Sequence, residues 1–328
     1  MSPVVDVVAG WDLADAVIDA VEPFEASRHL PVMARHRLTG VAHAAMLAGD
    51  VEVDEPERLV EAHRRAMART LLLEDVLLDA SEVLDHAGFE HRVLKGAALA
   101  HRWGRPELRE FGDNDLLVRP DQLSAAAAAF EAAGAARVFS PLSSTWEQRF
   151  AKSITLRWRD TEIDLHRTLA PGPYGLTIDT DPLFATTSVI ELAGVEVATL
   201  RDEHHLIHAA LHVALGDITP RLGNVRDVAV LLATPGLDAD QVIATVVDWR
   251  LGAPFAAGVV AAEAIGAERT GIVEWARRYR PSTIDRRLLA SYQHRQGRFR
   301  RQVLASLQVL GWRDRVVYLR SLRSDRAR

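Results

Sequence analysis

The spacing of apolar residues changes twice along the chain. From Trp11 to Glu90 apolar residues recur at intervals of three and four, which predicts helices, and no stretch there alternates as a strand does. An acidic pair precedes a proline at Asp54-Glu55-Pro56 in the pattern of a helix start, and that helix is expected to end near Ala87-Gly88. We therefore expect residues 1–88 to form an N-terminal helical region.

Residues 89–201 combine strand and helix patterns. Two apolar strands are expected, each followed by a helix, and two hairpins come after them. In the first hairpin the apolar residues share one face, so Asp164 falls on the polar face, with Arg157 on the facing strand. The expected elements are strands at His91 to Leu94, Asp113 to Val118 and Ala136 to Phe139, helices at Gly96 to Trp103 and Pro120 to Ala133, and hairpins that turn at Asp160-Thr161 and Ala193-Gly194.

Helical spacing returns after Asp202, and the breaks fall at glycine or proline. We expect residues 202–328 to form a C-terminal helical region. The fold class is therefore predicted to be α+β (mixed α/β), with a small mixed sheet between two helical regions. The expected helices lie near residues 203–216, 224–234, 238–249, 252–266, 284–293 and 297–321.

Composition and charge narrow the class of protein. The chain has 328 residues, 48% of them hydrophobic, which is enough for a buried core, and its net charge of -6 argues against stable binding to DNA. Because the chain has no cysteine, a metal can be bound only by carboxylate, imidazole or water. Residues 1–14 lack the features of a signal peptide, and no apolar run of about 18 residues suggests a membrane span, so we expect a cytoplasmic protein.

Two aspartates separated by one residue are the first candidates for chemistry. Asp113 and Asp115 follow Gly112 at the start of a strand whose later residues are apolar. Both carboxylates are therefore expected on one face of the strand, at its N-terminal end. Mg²⁺ prefers oxygen ligands and keeps positions for substrate phosphates, which makes the pair a candidate metal site. A solvated strand end is the alternative explanation of the same pattern.

A glycine turn and a third carboxylate could complete this site. An apolar strand turns through Lys95-Gly96-Ala97 into a helix, and such a turn directs backbone N–H groups at an anion. The chain has only two lysines, Lys95 and Lys152, and Lys95 could add a charge for a triphosphate. Asp164 could join the metal site and act as general base, or it could simply pair with Arg157 across the hairpin.

Two other patterns have simpler explanations. His204, His208 and His212 recur at four-residue steps, but without a His-Glu-x-x-His arrangement we interpret them as histidines that line or pack behind a cleft rather than as zinc ligands. Arginines are concentrated at residues 295–301 and 313–328. They could bind RNA, but a solvated helix face is favoured because few aromatic residues accompany them.

The combination of the lysine–glycine turn, the glycine-led Asp-x-Asp strand and the hairpin with Asp164-Leu165-His166 resembles the uncharacterised bacterial nucleotidyltransferase family of the DNA polymerase beta-like superfamily. The resemblance extends from Val93 into the C-terminal helices, where it includes His208 to His212 and Val225-Arg226-Asp227. It implies a polymerase beta-like core over residues 89–201.

The resemblance also implies roles for single residues. Gly96 falls on the phosphate-binding turn, Asp113 and Asp115 fall on the metal-binding pair, and Asp164 falls on the third carboxylate. Two positions depart from the pattern of the superfamily. Ala97 stands where serine or glycine is usual, and Asn114 stands between the aspartates where an apolar residue is usual.

The activity implied by the resemblance is transfer of a nucleoside monophosphate from a nucleoside triphosphate to an acceptor hydroxyl, with release of pyrophosphate. Mg²⁺ or Mn²⁺ would be the cofactor, and the acceptor could be a small molecule, a protein or RNA. A toxin-like enzyme that modifies tRNA is one alternative. A non-catalytic binding or scaffold protein with a degenerate core is another, and Ala97 is the main argument for it.

Overall fold

The computed structural model describes residues 24–102, 104–140, 143–216, 220–292 and 298–322. The helical pattern expected before residue 24, and the arginines at residues 295–297 and 323–328, lie outside these ranges. Within them, no helix combines the length and apolar character needed to cross a membrane.

Helices come first and last along the chain, and the strands lie between them. The N-terminal helices are α1 (Ala26–His36), α2 (Thr39–Ala48) and α3 (Pro56–His86). The elements that follow are β1 (His91–Leu94), α4 (Gly96–Arg102), β2 (Asn114–Val118), α5 (Leu123–Ala132), β3 (Ala136–Arg137), α6 (Ser144–Arg149), β4 (Ser153–Trp158), β5 (Thr161–His166), α7 (Asp181–Ala185), β6 (Ser188–Leu192) and β7 (Val195–Thr199). The C-terminal helices are α8 (Asp202–Leu215), α9 (Leu222–Leu232), α10 (Ala239–Asp248), α11 (Gly252–Glu263), α12 (Gly271–Arg278), α13 (Thr283–Ala290), α14 (Arg298–Val309) and α15 (Trp312–Ser321).

The strands of the described chain form one seven-stranded mixed sheet. Their order is β3-β4-β5-β2-β1-β7-β6, with β2 parallel to β5 and β1 parallel to β7, while the other neighbours are antiparallel. The predicted mixed α/β fold class is therefore confirmed. The parallel contact between β2 and β5 places strands that are distant in sequence side by side, with Asp115 opposite Asp164.

Both predicted hairpins are present. The first turns at Arg159 and Asp160, which have φ of 47° and 59°, one residue earlier than the sequence predicted. The second turns at Ala193 and Gly194, as predicted, with φ of 49° and 81°. Positive φ at both central residues is the conformation of a two-residue turn that matches the twist of the strands.

The two faces of the sheet have different surroundings. Alternate residues of β2, β4 and β5, such as Leu116, Leu156 and Ile163, form an apolar cluster with α3 and α5. On the opposite face, Leu117 belongs to a larger core built mainly from α8, α9, α11 and their neighbours. Because side chains alternate along a strand, Asp115 lies on the second face, between the sheet and the C-terminal helices.

Several expected boundaries were wrong for identifiable reasons. The helix expected at residues 297–321 is interrupted, because Gly311 takes an extended conformation as the N-cap of α15. Helix α12 was not predicted, although the Thr270 side chain accepts a hydrogen bond from Val273 N, which is a helix-start signal. Asp54 does not cap α3; its carboxylate accepts a hydrogen bond from Ala26 N, 2.7 Å away, at the start of α1.

Helices α8 and α11 approach closely at a glycine, which gives a test of the C-terminal core. A Cβ on Gly258 would lie 2.4 Å from the backbone oxygen of Ala210, so G258A is expected to lower the free energy of unfolding by about 1–3 kcal/mol. Urea denaturation measures this change. Gly271 at the start of α12 has open space around it, so G271A is the matched control and should be neutral or stabilising. Equal effects of the two variants would contradict the packing of α8 on α11.

Candidate active site

The parallel register of β2 and β5 brings polar side chains together beneath α8. Asp115, Asp164 and His166 each offer one ligand atom, and these atoms all lie within 4.8 Å of one another. Asp115 and His166 are buried, and Asp164 is half-buried. The sequence pattern alone could not place these residues together, because the pairing of β2 with β5 is a long-range contact.

The Asp115 carboxylate lies between the ammonium of Lys95 and the imidazole ring of His166. Lys95 Nζ lies 2.8 Å from its Oδ2, and His166 Nε2 lies 2.8 Å from its Oδ1. Burial raises the pKa of Asp115, but the Lys95 charge and the His166 hydrogen bond outweigh it and hold that pKa well below its usual range. The carboxylate is therefore ionised at neutral pH and fixed in orientation.

Asp164 has a different environment. It lies opposite Thr155, whereas Arg157 lies opposite Glu162 and forms an ion pair with it at 3.4 Å. The alternative explanation, in which Asp164 only pairs with Arg157, is therefore wrong. Its Oδ1 is buried and accepts no hydrogen bond from the described residues. A buried carboxylate oxygen without a partner is costly, so this atom is available to a ligand or a proton.

Asp113 lies at the edge of this group. It is half-buried, one residue before β2, and it is not among the residues whose ligand atoms lie within 4.8 Å of one another. Its charge still acts on its surroundings, because it favours the charged forms of Lys95, Lys152 and Arg37, although burial lowers the pKa values of Lys152 and Arg37 overall. The structure thus brings Asp115 and Asp164 into one cluster with His166 and leaves Asp113 beside it.

The Lys95-Gly96 turn joins β1 to α4 with positive φ at both residues, 34° and 40°. A Cβ on Gly96 would lie 3.3 Å from the Phe111 ring, so both the conformation and the close contact favour glycine there. The Lys95 ammonium is directed at Asp115 rather than left free at the turn. The Ala97 side chain is buried in the apolar cluster beneath the sheet, so its methyl group serves packing.

Arg109 is a residue that the sequence interpretation missed. Its guanidinium forms two hydrogen bonds with the Asp227 carboxylate, at 3.1 and 2.7 Å, and donates a third to Gly96 O at 3.0 Å. Arg109 and Asp227 are both buried. The pair therefore links the glycine turn to α9. Arg109 lies four residues before Asp113 and Asp227 ends the Val-Arg-Asp segment, but neither position signals its partner in the sequence.

Asn114, the second departure from the superfamily pattern, has a structural explanation. Its side chain points to the opposite face of the sheet from Asp115, and its Nδ2 donates a hydrogen bond to Leu73 O in α3 at 2.8 Å. The buried amide nitrogen therefore has a partner, and the substitution leaves the aspartate face unchanged.

The histidines of α8 pack against the site and the core. His204 stacks on Trp249 with ring centroids 5.8 Å apart, and the His208 ring lies 6.4 Å from that of His166. Within the described residues, no set of three metal-ligating side chains occurs on this helix. Burial, followed by the charge of Lys95, holds the pKa values of His208 and His212 well below their usual range. These positions agree with the interpretation that the stripe lines or supports a cleft.

Buried neutral histidines make the stability of this helix depend on pH. Burial and Arg201 lower the pKa of His204 to about 4, and burial and Arg102 lower the pKa of His205 to about 3. The unfolded chain therefore binds more protons below pH 6.5, and the free energy of unfolding should fall as the pH drops from 6.5 towards 4, by up to about 2 kcal/mol per histidine at pH 5. Urea denaturation at pH 7.5, 6 and 5 measures the slope. H204F removes one of these histidines and should therefore reduce the dependence of the free energy of unfolding on pH. A pH dependence in H204F equal to that of the wild type would contradict the prediction.

A family model described as "Uncharacterised nucleotidyltransferase" matches residues 22–266, more than half of the chain. The solution structure of the antibiotic-resistance factor ANT(2'')-Ia is similar over 56% of this chain and 92% of that chain, with 15% identity and a TM-score of 0.40. The crystal structure of an antigenic nucleotidyltransferase-like protein from Paracoccidioides brasiliensis is similar over 64% of this chain and 98% of that chain, with 13% identity and a TM-score of 0.34. No curated protein sequence matches the chain.

Proposed function

Since the chain belongs to the uncharacterised nucleotidyltransferase family, we propose that it transfers a nucleoside monophosphate from a nucleoside triphosphate to an acceptor hydroxyl. The observation that carries this proposal is the meeting of Asp115 and Asp164 on adjacent parallel strands, with Oδ1 of Asp164 buried and without a partner. Structural neighbours with such low similarity add nothing to it.

The residues present fit a divalent metal ion. Asp115 and Asp164 supply hard oxygen ligands, and the unpartnered oxygen of Asp164 is an atom that a cation would satisfy. We assign Asp115 and Asp164 to Mg²⁺ or Mn²⁺, with Asp113 joining them from the edge of the site. A cation bound there would neutralise and orient the phosphate oxygens of the substrate.

The remaining steps belong to the protein's own groups. The N–H groups that follow the Lys95-Gly96 turn at the start of α4 receive the phosphates, and Arg109 holds the turn in place through Gly96 O. The acceptor oxygen forms a bond to the α-phosphorus while the bond from that phosphorus to the leaving pyrophosphate breaks. The proton of the acceptor hydroxyl goes to Asp164.

Domain roles are part of the same proposal. Residues 89–201 carry the carboxylates and the turn, while residues 1–88 and 202–328 supply helices around them. We propose that these helical regions select the acceptor, which can be a small molecule, a protein or RNA. Family membership favours the enzyme over a non-catalytic scaffold. The Ala97 side chain is buried in the core and does not face the substrate in this proposal.

A labelling experiment tests the activity. The protein is incubated with each α-labelled nucleoside triphosphate, Mg²⁺ or Mn²⁺ and a cell lysate, and the labelled product is then treated with ribonuclease or protease to identify the class of acceptor. D113A and chelation of the metal should abolish labelling. Asp121, exposed after β2, provides the control D121A, which should label as the wild type does. Labelling by D113A, or none by the wild type with any of the four nucleotides, would contradict the proposal.

A further inference from the structure

Both lysines of the chain lie at the carboxylate site. Lys95 directly follows β1 and Lys152 directly precedes β4, and the charges of Asp115, Asp113 and Asp164 act on both of them. The chain has 39 lysines and arginines in total, and all of them except these two are arginines. A lysine ammonium is a compact point charge, unlike the planar arginine fork, so both positions use a side chain suited to a single phosphate or carboxylate oxygen.

The two lysines differ in their partners. Lys95 Nζ lies 2.8 Å from Asp115 Oδ2 and so compensates that carboxylate. The Lys152 ammonium forms no ion pair or hydrogen bond with any part of the chain that the structure describes. Burial and then the nearby charge of Lys95 lower the pKa of Lys152. The three aspartates act in the opposite direction but do not outweigh them.

The position of Lys152 is fixed by its backbone. Its carbonyl oxygen accepts a hydrogen bond from Arg167 N at 3.0 Å, and the preceding Ala151 O accepts one from the Arg167 side chain at 3.3 Å. The next residue, Ser153, lies opposite His166 in the β4–β5 pair. The lysine is therefore anchored at the end of the strand pair that carries Asp164, and it is not a solvent-exposed loop residue.

A shielded ammonium whose N–H groups have no direct acceptor is unfavourable unless a ligand supplies one, even with carboxylates nearby. We propose that Lys152, rather than Lys95, binds the β- and γ-phosphates of the nucleotide and stabilises the pyrophosphate as it leaves. This inference rests on the proposed function and names the subsite of the leaving group. Negative charge grows on that group as its bond to the α-phosphorus breaks, which is where a fixed cation lowers the barrier.

Calorimetric titration with pyrophosphate and with tripolyphosphate, in the absence of nucleotide and metal, tests the inference. K152M should weaken binding of both anions by roughly tenfold to a hundredfold, the loss expected for one hydrogen bond to a charged group. K152R should restore part of the affinity. R157M, which removes an exposed cation on the same hairpin, should bind as the wild type does.

Two control measurements and a second variant separate this inference from the activity. K152M should fold, because it removes a shielded charge that has no partner, and urea denaturation checks this; K152Q serves the same purpose with a polar side chain. Mn²⁺ binding, followed by electron paramagnetic resonance, should persist in K152M. If K152M and K152Q bind tripolyphosphate as well as the wild type while the wild type still transfers nucleotide, the inference is overturned and the proposed function stands. If the wild type transfers no nucleotide with any acceptor, the proposed function fails, whatever the anion titration shows.

Discussion

Replacing Asp164 with asparagine is expected to lower kcat/KM for nucleotidyl transfer by roughly 10²- to 10⁴-fold, the usual contribution of a general base. The free energy of unfolding should change by less than about 1 kcal/mol, because Oδ1 of Asp164 has no hydrogen bond to lose among the described residues and asparagine has nearly the same volume. Steady-state kinetics with the labelled nucleotide and urea denaturation measure the two quantities on the same preparation.

The matched control for this variant is D160N. Asp160 is exposed in the turn of the same hairpin, with a φ of 59° that asparagine tolerates, so D160N should change neither activity nor stability. D115N makes an informative contrast, because it should lose activity and also destabilise the fold by leaving the Lys95 ammonium without its 2.8 Å partner. Full activity in D164N would remove Asp164 from the mechanism, and a large loss of stability would show that its role is structural.

Local signals in the sequence predicted most elements because those signals are themselves local. The turn at Ala193-Gly194 needs two residues that tolerate positive φ, and the long helix α3 is marked by Pro56 at its start. The alternation of apolar residues in the first hairpin placed Asp164 on the polar face, and the structure has the same alternation. Errors arose at ends such as Gly311, where one residue decides whether one helix or two are formed.

The composition of the site could be predicted only in part. Asp115 and Asp164 are brought together by the pairing of β2 with β5, and the family resemblance, not periodicity, supplied that expectation. His166 was visible in the sequence as part of Asp-Leu-His, but its hydrogen bond to Asp115 depends on the sheet register. The sequence offers Lys95 as a charge for the triphosphate, and only the structure shows that its ammonium is directed at Asp115.

Contacts between the sheet region and the C-terminal helices were the least predictable. A buried arginine has no periodic signature, and its partner can lie anywhere in the chain. Arg109 and Asp227 are separated by more than one hundred residues, yet their carboxylate and guanidinium groups meet at 2.7 Å. Such pairs require a three-dimensional structure, and this one also contacts the turn that is proposed to receive phosphate.

Breaking the buried Arg109–Asp227 pair should therefore lower the free energy of unfolding more than any other substitution described above. R109M is expected to lower the free energy of unfolding by about 3–5 kcal/mol, because it leaves the Asp227 carboxylate buried without its partner. The double variant R109M/D227L should recover much of this loss, since an apolar pair of similar volume can replace a buried ion pair. Urea denaturation of the wild type, both single variants and the double variant completes the cycle.

Activity should not recover with stability in the double variant. Gly96 O still lacks the guanidinium that donates to it at 3.0 Å, so the glycine turn is no longer held and kcat/KM should stay well below that of the wild type. R157M is the control, because its exposed pair with Glu162 should contribute less than about 1 kcal/mol. A double variant with full activity would limit the role of Arg109 to stability. An R109M variant as stable as R157M would contradict the buried pair itself.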